Sequence, residues 1–149
     1  MAIKKLKVSI EPPKPRRKCL LLVPRSEHSD AVSKVVRSVL MESGVSPVSF
    51  EDRMQVGALW VDGIMASLRE ADFLIADVTG RNANVLFELG IAHGLGKPFV
   101  LLVSVAGNGD IPSDLMGYQY ISYDPTNILV LHSRLNRFVQ HVVERLERT

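Results

Sequence analysis

The sequence predicts an α/β domain of flavodoxin-like (Rossmann-like) type. Helices cover both faces of a five-stranded parallel sheet of order 2-1-3-4-5, giving a three-layer sandwich. Three observations predict it. Short apolar runs alternate with stretches of helical periodicity, the pattern of a parallel sheet wrapped by helices. The runs Cys19-Leu-Leu-Leu-Val23 and Pro98-Phe-Val-Leu-Leu-Val103 are continuously apolar, as strands covered on both faces are. Right-handed crossovers between such strands then yield the doubly wound order.

Each element has its own local reason. Pro24 closes the first strand, Cys19–Val23. Ala31–Leu40 repeats apolar residues at helical spacing, and Gly44 is its stop. Ser46–Phe50 reads as a weak second strand. Val56–Ala71 is the second helix, with Leu59, Ile64 and Leu68 among its apolar positions. Phe73–Val78 is the third strand, Asn84–Leu95 the third helix with Gly96 at its end, and Pro98–Val103 the fourth strand. Val105–Gly117 is a long loop containing Gly107, Gly109 and Pro112, of a length that is often functional. Tyr120–Tyr123 is the fifth strand. A last helix starts near Thr126 or Asn127 with Leu131, Leu135, Phe138, Val142 and Leu146 along one stripe.

Bulk composition bounds the function. A chain of 149 residues with 46% hydrophobic and 23% charged residues is expected to form one soluble domain over 19–149. The net charge of +2 is a property of the tail. Residues 1–18 hold seven basic residues against Glu11, so residues 19–149 are net −4. This basic, proline-containing arm (Glu11-Pro-Pro-Lys-Pro15) reads as a solvated extension, and nucleic acid is not the expected partner. The lone Cys19 excludes an internal disulfide and reads as a buried, inert thiol. No apolar run reaches the ~18 residues of a membrane span, and no apolar signal core follows the basic start. A cytoplasmic location is the default expectation, with no membrane partner.

The chemistry gathers after the third strand. The loop there offers Asp77, Thr79, Arg81, Asn82 and Asn84, and Glu88 follows about one helical turn later. Ligands of open α/β sheets bind at this carboxyl edge of the strands. A carboxylate there can attack the anomeric carbon of a ribosyl group, whose oxocarbenium-like transition state an anion stabilises. It can equally bind sugar hydroxyls, or merely favour the helix dipole from the surface. Its neighbours Phe87, Leu89 and Ile91 make this an odd position for a decorative charge. Asn84 is a good N-cap, and Thr79, Arg81 and Asn82 carry donors suited to a ribose, a phosphate or a base edge. Asp77 would orient a sugar or cap the loop. Arg25 and Ser26, after the first strand, could meet a phosphate at the first helix, although Ser29 or Asp30 could simply cap it. His93 falls five residues after Glu88, roughly 140° around the helix, and reads as structural. Lys97 reads as a helix C-terminal cap, and Trp60 as core rather than as a base-stacking platform.

Other chemistries lack their signatures. There is no P-loop, no dinucleotide fingerprint and no nucleophile elbow, and the four histidines have no metal-ligand spacing. No cofactor and no metal is expected.

The stretches Ala71-Asp72, Ile75-Ala-Asp-Val-Thr-Gly-Arg-Asn-Ala-Asn-Val85, Glu88-Leu-Gly-Ile-Ala-His93 and Gly96-Lys-Pro98 resemble the nucleoside 2-deoxyribosyltransferase-like superfamily, within its TIR-like, nucleotide-binding branch. Asp110-Ile-Pro-Ser-Asp-Leu115 and Tyr120-Ile-Ser-Tyr-Asp124 are similar to it as well. The resemblance implies the flavodoxin-like fold and cleavage or transfer of the N-glycosidic bond of a nucleoside, a nucleotide or NAD. Glu88 matches the family's nucleophile, and the resemblance implies a homo-oligomer whose sites neighbouring chains complete. There are departures. Transferases of the family carry an aspartate where this chain has Asn82, and another in the second helix near Ile64. The Trp-Cys pair just before the glutamate of TIR NADases is absent, since this chain has Asn84-Val-Leu-Phe87 there. A non-catalytic nucleotide-binding or signalling module is the other reading.

Overall fold

A computed structural model describes residues 16–24, 26–48, 59–106 and 111–149. The arm up to residue 15, Arg25, the start of the expected second helix, and Gly107 and Gly109 lie outside the described residues.

The chain runs β1 (Lys18–Leu22), α1 (Glu27–Glu42), β2 (Ser46–Val48), α2 (Trp60–Glu70), β3 (Phe73–Asp77), α3 (Ala83–Gly94), β4 (Phe99–Ser104), β5 (Tyr120–Tyr123) and α4 (Ile128–Glu147). Short 3₁₀ turns cover Thr79–Arg81 and Ser113–Leu115. The five strands form one sheet of order β2-β1-β3-β4-β5, and every pair is parallel. Leu20 lies opposite both Val48 and Leu74, and Leu74 opposite Phe99. This is the flavodoxin-like order expected from the alternation.

Period-2 alternation of the strands divides the interior into two cores. One joins Phe73, Ile75, Val100 and Leu102 to α1 (Val32, Val36, Val39) and α4 (Leu131, Leu135, Val139). The other joins Leu74, Ala76, Leu101 and Val103 to α2 (Ile64, Leu68) and α3 (Val85, Leu89, Ala92). Every residue of β3 is buried. Each large apolar side chain so placed contributes about 1.5–3 kcal/mol, which makes the central strand the rigid base of whatever stands at its end.

Several element ends differ from expectation for physical reasons. α1 begins at Glu27 rather than Ala31, because Ser26 caps it: the Ser26 hydroxyl accepts the Ser29 N–H at 3.3 Å and meets the Ser29 hydroxyl at 2.8 Å. α3 ends at Gly94, and Gly96 follows with φ 69°, a left-handed conformation that favours glycine. Lys97 does serve a helix terminus, but that of α2. Its ammonium donates to the Arg69 and Ala71 carbonyls at 3.0 and 2.7 Å. Trp60 is the first residue of α2 and is 49% exposed, so it is not a core aromatic. Cys19 is fully buried, and burial pushes its thiol well above the ordinary value, as an inert structural cysteine requires.

Candidate active site

The carboxyl edge of the sheet is where β3, β4 and β5 end together. Asp77 ends β3, and Ser104 and Tyr123 pair at the ends of β4 and β5. Asp77 is 2% exposed. One of its oxygens accepts the Thr79 N–H at 2.9 Å, and the other accepts the Tyr123 hydroxyl at 2.6 Å. The Thr79 hydroxyl accepts the Ser104 N–H at 2.8 Å. Burial pushes the Tyr123 phenol far up, and the bond to the Asp77 carboxylate pushes it further, so it stays a donor.

The chain then turns sharply. Gly80 has φ 71° and Arg81 φ 53°, two left-handed residues in succession, the second without glycine's freedom. The turn delivers Asn82 to the start of α3, where its side-chain oxygen accepts the N–H groups of Asn84 and Val85 at 3.0 and 3.2 Å. Asn82 is therefore the N-cap, in place of the expected Asn84, which sits exposed in the first turn. Glu88 follows on α3, half-buried between exposed Phe87 and buried Leu89. Burial raises its carboxyl above the ordinary range. Among the described residues no hydrogen bond or ion pair satisfies it. A half-buried carboxylate without a partner is costly to a fold, which makes Glu88 a candidate functional group.

The fold thus gathers Asp77, Thr79, Arg81, Asn82, Asn84 and Glu88 along one loop and the first turns of one helix. Ser26 stands at the carboxyl end of β1, the strand next to β3, and Arg25 is outside the described residues. No group of three His, Cys, Asp or Glu side chains is placed to hold a metal ion among the described residues, and none of the described helices is long and apolar enough to cross a membrane. Sequence reasoning missed Tyr123 and Ser104 as parts of this edge. The available signal was register: in a parallel sheet the last residues of neighbouring strands share one edge.

The family described as "CAP12/Pycsar effector protein, TIR domain" matches residues 21–125. The chain belongs to this family. Three solved structures share its fold. A TIR domain of a Toll-related receptor from Hydra magnipapillata superposes with TM-score 0.63 at 12% identity, over 83% of this chain and 96% of that one. A CMP N-glycosidase from Clostridium botulinum gives 0.62 at 18% identity, over 82% and 99%. A 2-deoxyribosyltransferase from Bacillus psychrosaccharolyticus gives 0.56 at 22% identity, over 74% and 89%. Comparison with curated proteins gives no match. The TIR-like resemblance read from the sequence therefore holds, and the 2-deoxyribosyltransferase shares the fold. In this TIR domain the loop after β3 and the start of α3 are the segments that carry the candidate chemistry.

Proposed function

We propose that this TIR domain cleaves or transfers the N-glycosidic bond of a nucleoside, a nucleotide or NAD, with Glu88 as nucleophile or oxocarbenium stabiliser. The observation that carries the reading is the Glu88 carboxylate itself, half-buried near the carboxyl edge with its pKa raised by burial and no partner among the described residues. The solved structures of the same fold include a CMP N-glycosidase and a 2-deoxyribosyltransferase, proteins named for such reactions.

In the reaction the C1′–N bond breaks and its electron pair leaves with the base. The ionised Glu88 carboxylate meets the cationic C1′, either as an ion pair or through a C–O bond. Water then adds its hydroxyl to C1′, and its proton goes to the departing base anion or, for NAD, whose nicotinamide leaves neutral, to solvent; alternatively a second base takes the sugar. Thr79, Arg81, Asn82 and Asn84 would surround the sugar, and Arg25 and Ser26 any 5′-phosphate. The catalytic unit is a homo-oligomer in the cytoplasm, in which a neighbouring copy covers the exposed Phe87 beside Glu88.

The test is base release measured by chromatography. The protein is incubated with NAD, nucleosides and 5′-nucleotides, and Glu88→Gln serves as control. A free base or nicotinamide produced by the wild type alone is the expected outcome. Equal release by both proteins would sink the role of Glu88.

One observation favours a nucleotide-binding module instead. At the position where transferases carry an aspartate, Asn82 has its oxygen committed to the helix cap and offers no acid. Calorimetry that shows nucleotide binding with no product released would select that reading.

A further inference from the structure

The carboxyl edge holds a polar cluster of which the proposed chemistry uses only Thr79 directly. Tyr123 is 6% exposed, and its hydroxyl donates to Asp77 at 2.6 Å. With the Thr79 N–H on the other oxygen, both oxygens of Asp77 have partners within the protein. A carboxylate so committed is poorly placed to hold a sugar. Its neighbours suit a different task.

The loop that the cluster grips is the strained one. The Val78 N–H bonds to the Leu102 carbonyl at 2.9 Å, and the Arg81 N–H to the Val78 carbonyl at 3.1 Å. Between them the backbone takes two left-handed residues before Asn82 starts α3. A non-glycine residue in that region persists only where its surroundings over-determine it. Thr79, the first residue of the turn, is tied to β3 through Asp77 and to β4 through Ser104, and Asp77 is in turn tied to β5 through Tyr123.

We propose that Tyr123 is a positioning residue of the candidate active site. Through Asp77 and Thr79 it holds the β3–α3 loop in its strained form, and so sets where Asn82 and the first turns of α3, with Glu88, stand. Asp77 is then the keystone of the loop rather than a ligand to the sugar. The functional part of this inference rests on the N-glycosidase reading.

Amide hydrogen exchange and steady-state kinetics on the full chain test it, with Tyr123→Phe and Asp77→Asn beside the wild type. Phe fits the same space and removes only the hydroxyl. Asn at position 77 keeps an oxygen for the Thr79 N–H and offers an amide donor to the Tyr123 oxygen. In Tyr123→Phe, exchange at residues 79–85 should quicken by about tenfold while α1 and β1 keep their rates. On the compound that the base-release assay identifies, kcat should fall about tenfold with KM changed by less than about twofold. Asp77→Asn should keep loop protection within about threefold of wild type.

Unchanged exchange at 79–85 in Tyr123→Phe overturns the proposal. So does an equal rise across the whole chain, which is ordinary destabilisation, or a raised KM with kcat intact, which would make the cluster a substrate contact. If the wild type releases no base from any compound, the N-glycosidase reading fails separately, and the exchange pattern alone decides whether Tyr123 holds the loop.

Discussion

The two edges of the sheet are built from similar residues and organised in opposite ways. At the amino edge, charges are paired off. Asp72 accepts the Lys18 N–H at 2.7 Å and an Arg17 N–H at 3.4 Å, Lys18 pairs with Glu70, Arg17 donates to the Leu146 carbonyl, and Lys97 closes the end of α2. These bonds tie strand starts to helix ends and leave little chemistry to do. At the carboxyl edge, the polar groups support a strained loop, and one carboxylate, Glu88, has no partner among the described residues. An acidic residue at the first edge is a fastener. At the second edge Asp77 is a fastener as well, and Glu88 is the carboxylate to which the proposed chemistry is assigned. The difference comes from the parallel sheet, which points all helix N-termini and their open N–H groups to one edge.

The largest expected effect breaks the comparison at its centre. Glu88→Gln should reduce base release by about a thousandfold, about 4 kcal/mol of barrier. Chromatographic rates on wild type and variant measure it. Fold stability should move the other way. Burial raises the Glu88 pKa in the fold, so between the ordinary carboxylate value and the raised one the native state holds a proton that the unfolded chain has lost. Stability contributed by this group therefore falls as pH rises through that window, and the penalty remains above it. Glu88→Gln never ionises, so at about pH 7 its melting temperature should equal or exceed the wild type's, and the gap should close below about pH 4. Turnover should rise with pH through the same window, because the nucleophile must be ionised. A variant less stable than wild type at neutral pH would mean that Glu88 is a fastener after all.

Next come the two aspartates that bracket β3. Asp77→Ala leaves the buried Tyr123 phenol and the part-buried Thr79 N–H without their acceptor, and should cost about 2–4 kcal/mol. Asp72→Ala removes bonds at a partly exposed site and should cost about 1–2 kcal/mol. Urea unfolding midpoints separate the two. Base release by folded Asp72→Ala should stay at the wild-type rate, which marks the amino edge as structural. Loss of activity there would erase the distinction between the edges.

The sequence carried the fold plainly because a parallel sheet writes itself as apolar runs. Cys19–Val23 and Phe73–Val78 could hardly be anything else, and each strand lies within about one residue of its expected position where the chain is described. Glu88 and its loop were visible because family motifs are local in sequence. What could not be read was non-local. Asp77 finds Tyr123 46 residues away, and Lys97 reaches 26 residues back to Ala71. Two asparagines two residues apart are equally good caps on paper. The left-handed Arg81 settles the choice by bringing Asn82, not Asn84, to the helix start. Helical spacing alone places Trp60 inward, but α2 begins there and its buried positions start at Ile64.

The smallest effect probes the helix that connects the edges. α2 runs from the carboxyl edge back to the amino edge, and Ser67 lies fully buried near its end. Its hydroxyl has no hydrogen-bond partner among the described residues. Burying such a group without a bond costs free energy, and alanine is also the better helix former by a few tenths of a kcal/mol. Ser67→Ala should therefore stabilise the domain by up to about 1 kcal/mol without altering base release. The measurement is a urea midpoint with unchanged slope. If the variant is instead less stable, the hydroxyl has a bond in solution that fastens α2 at the closed edge. The amino edge would then extend one turn further along α2 than its visible ion pairs indicate.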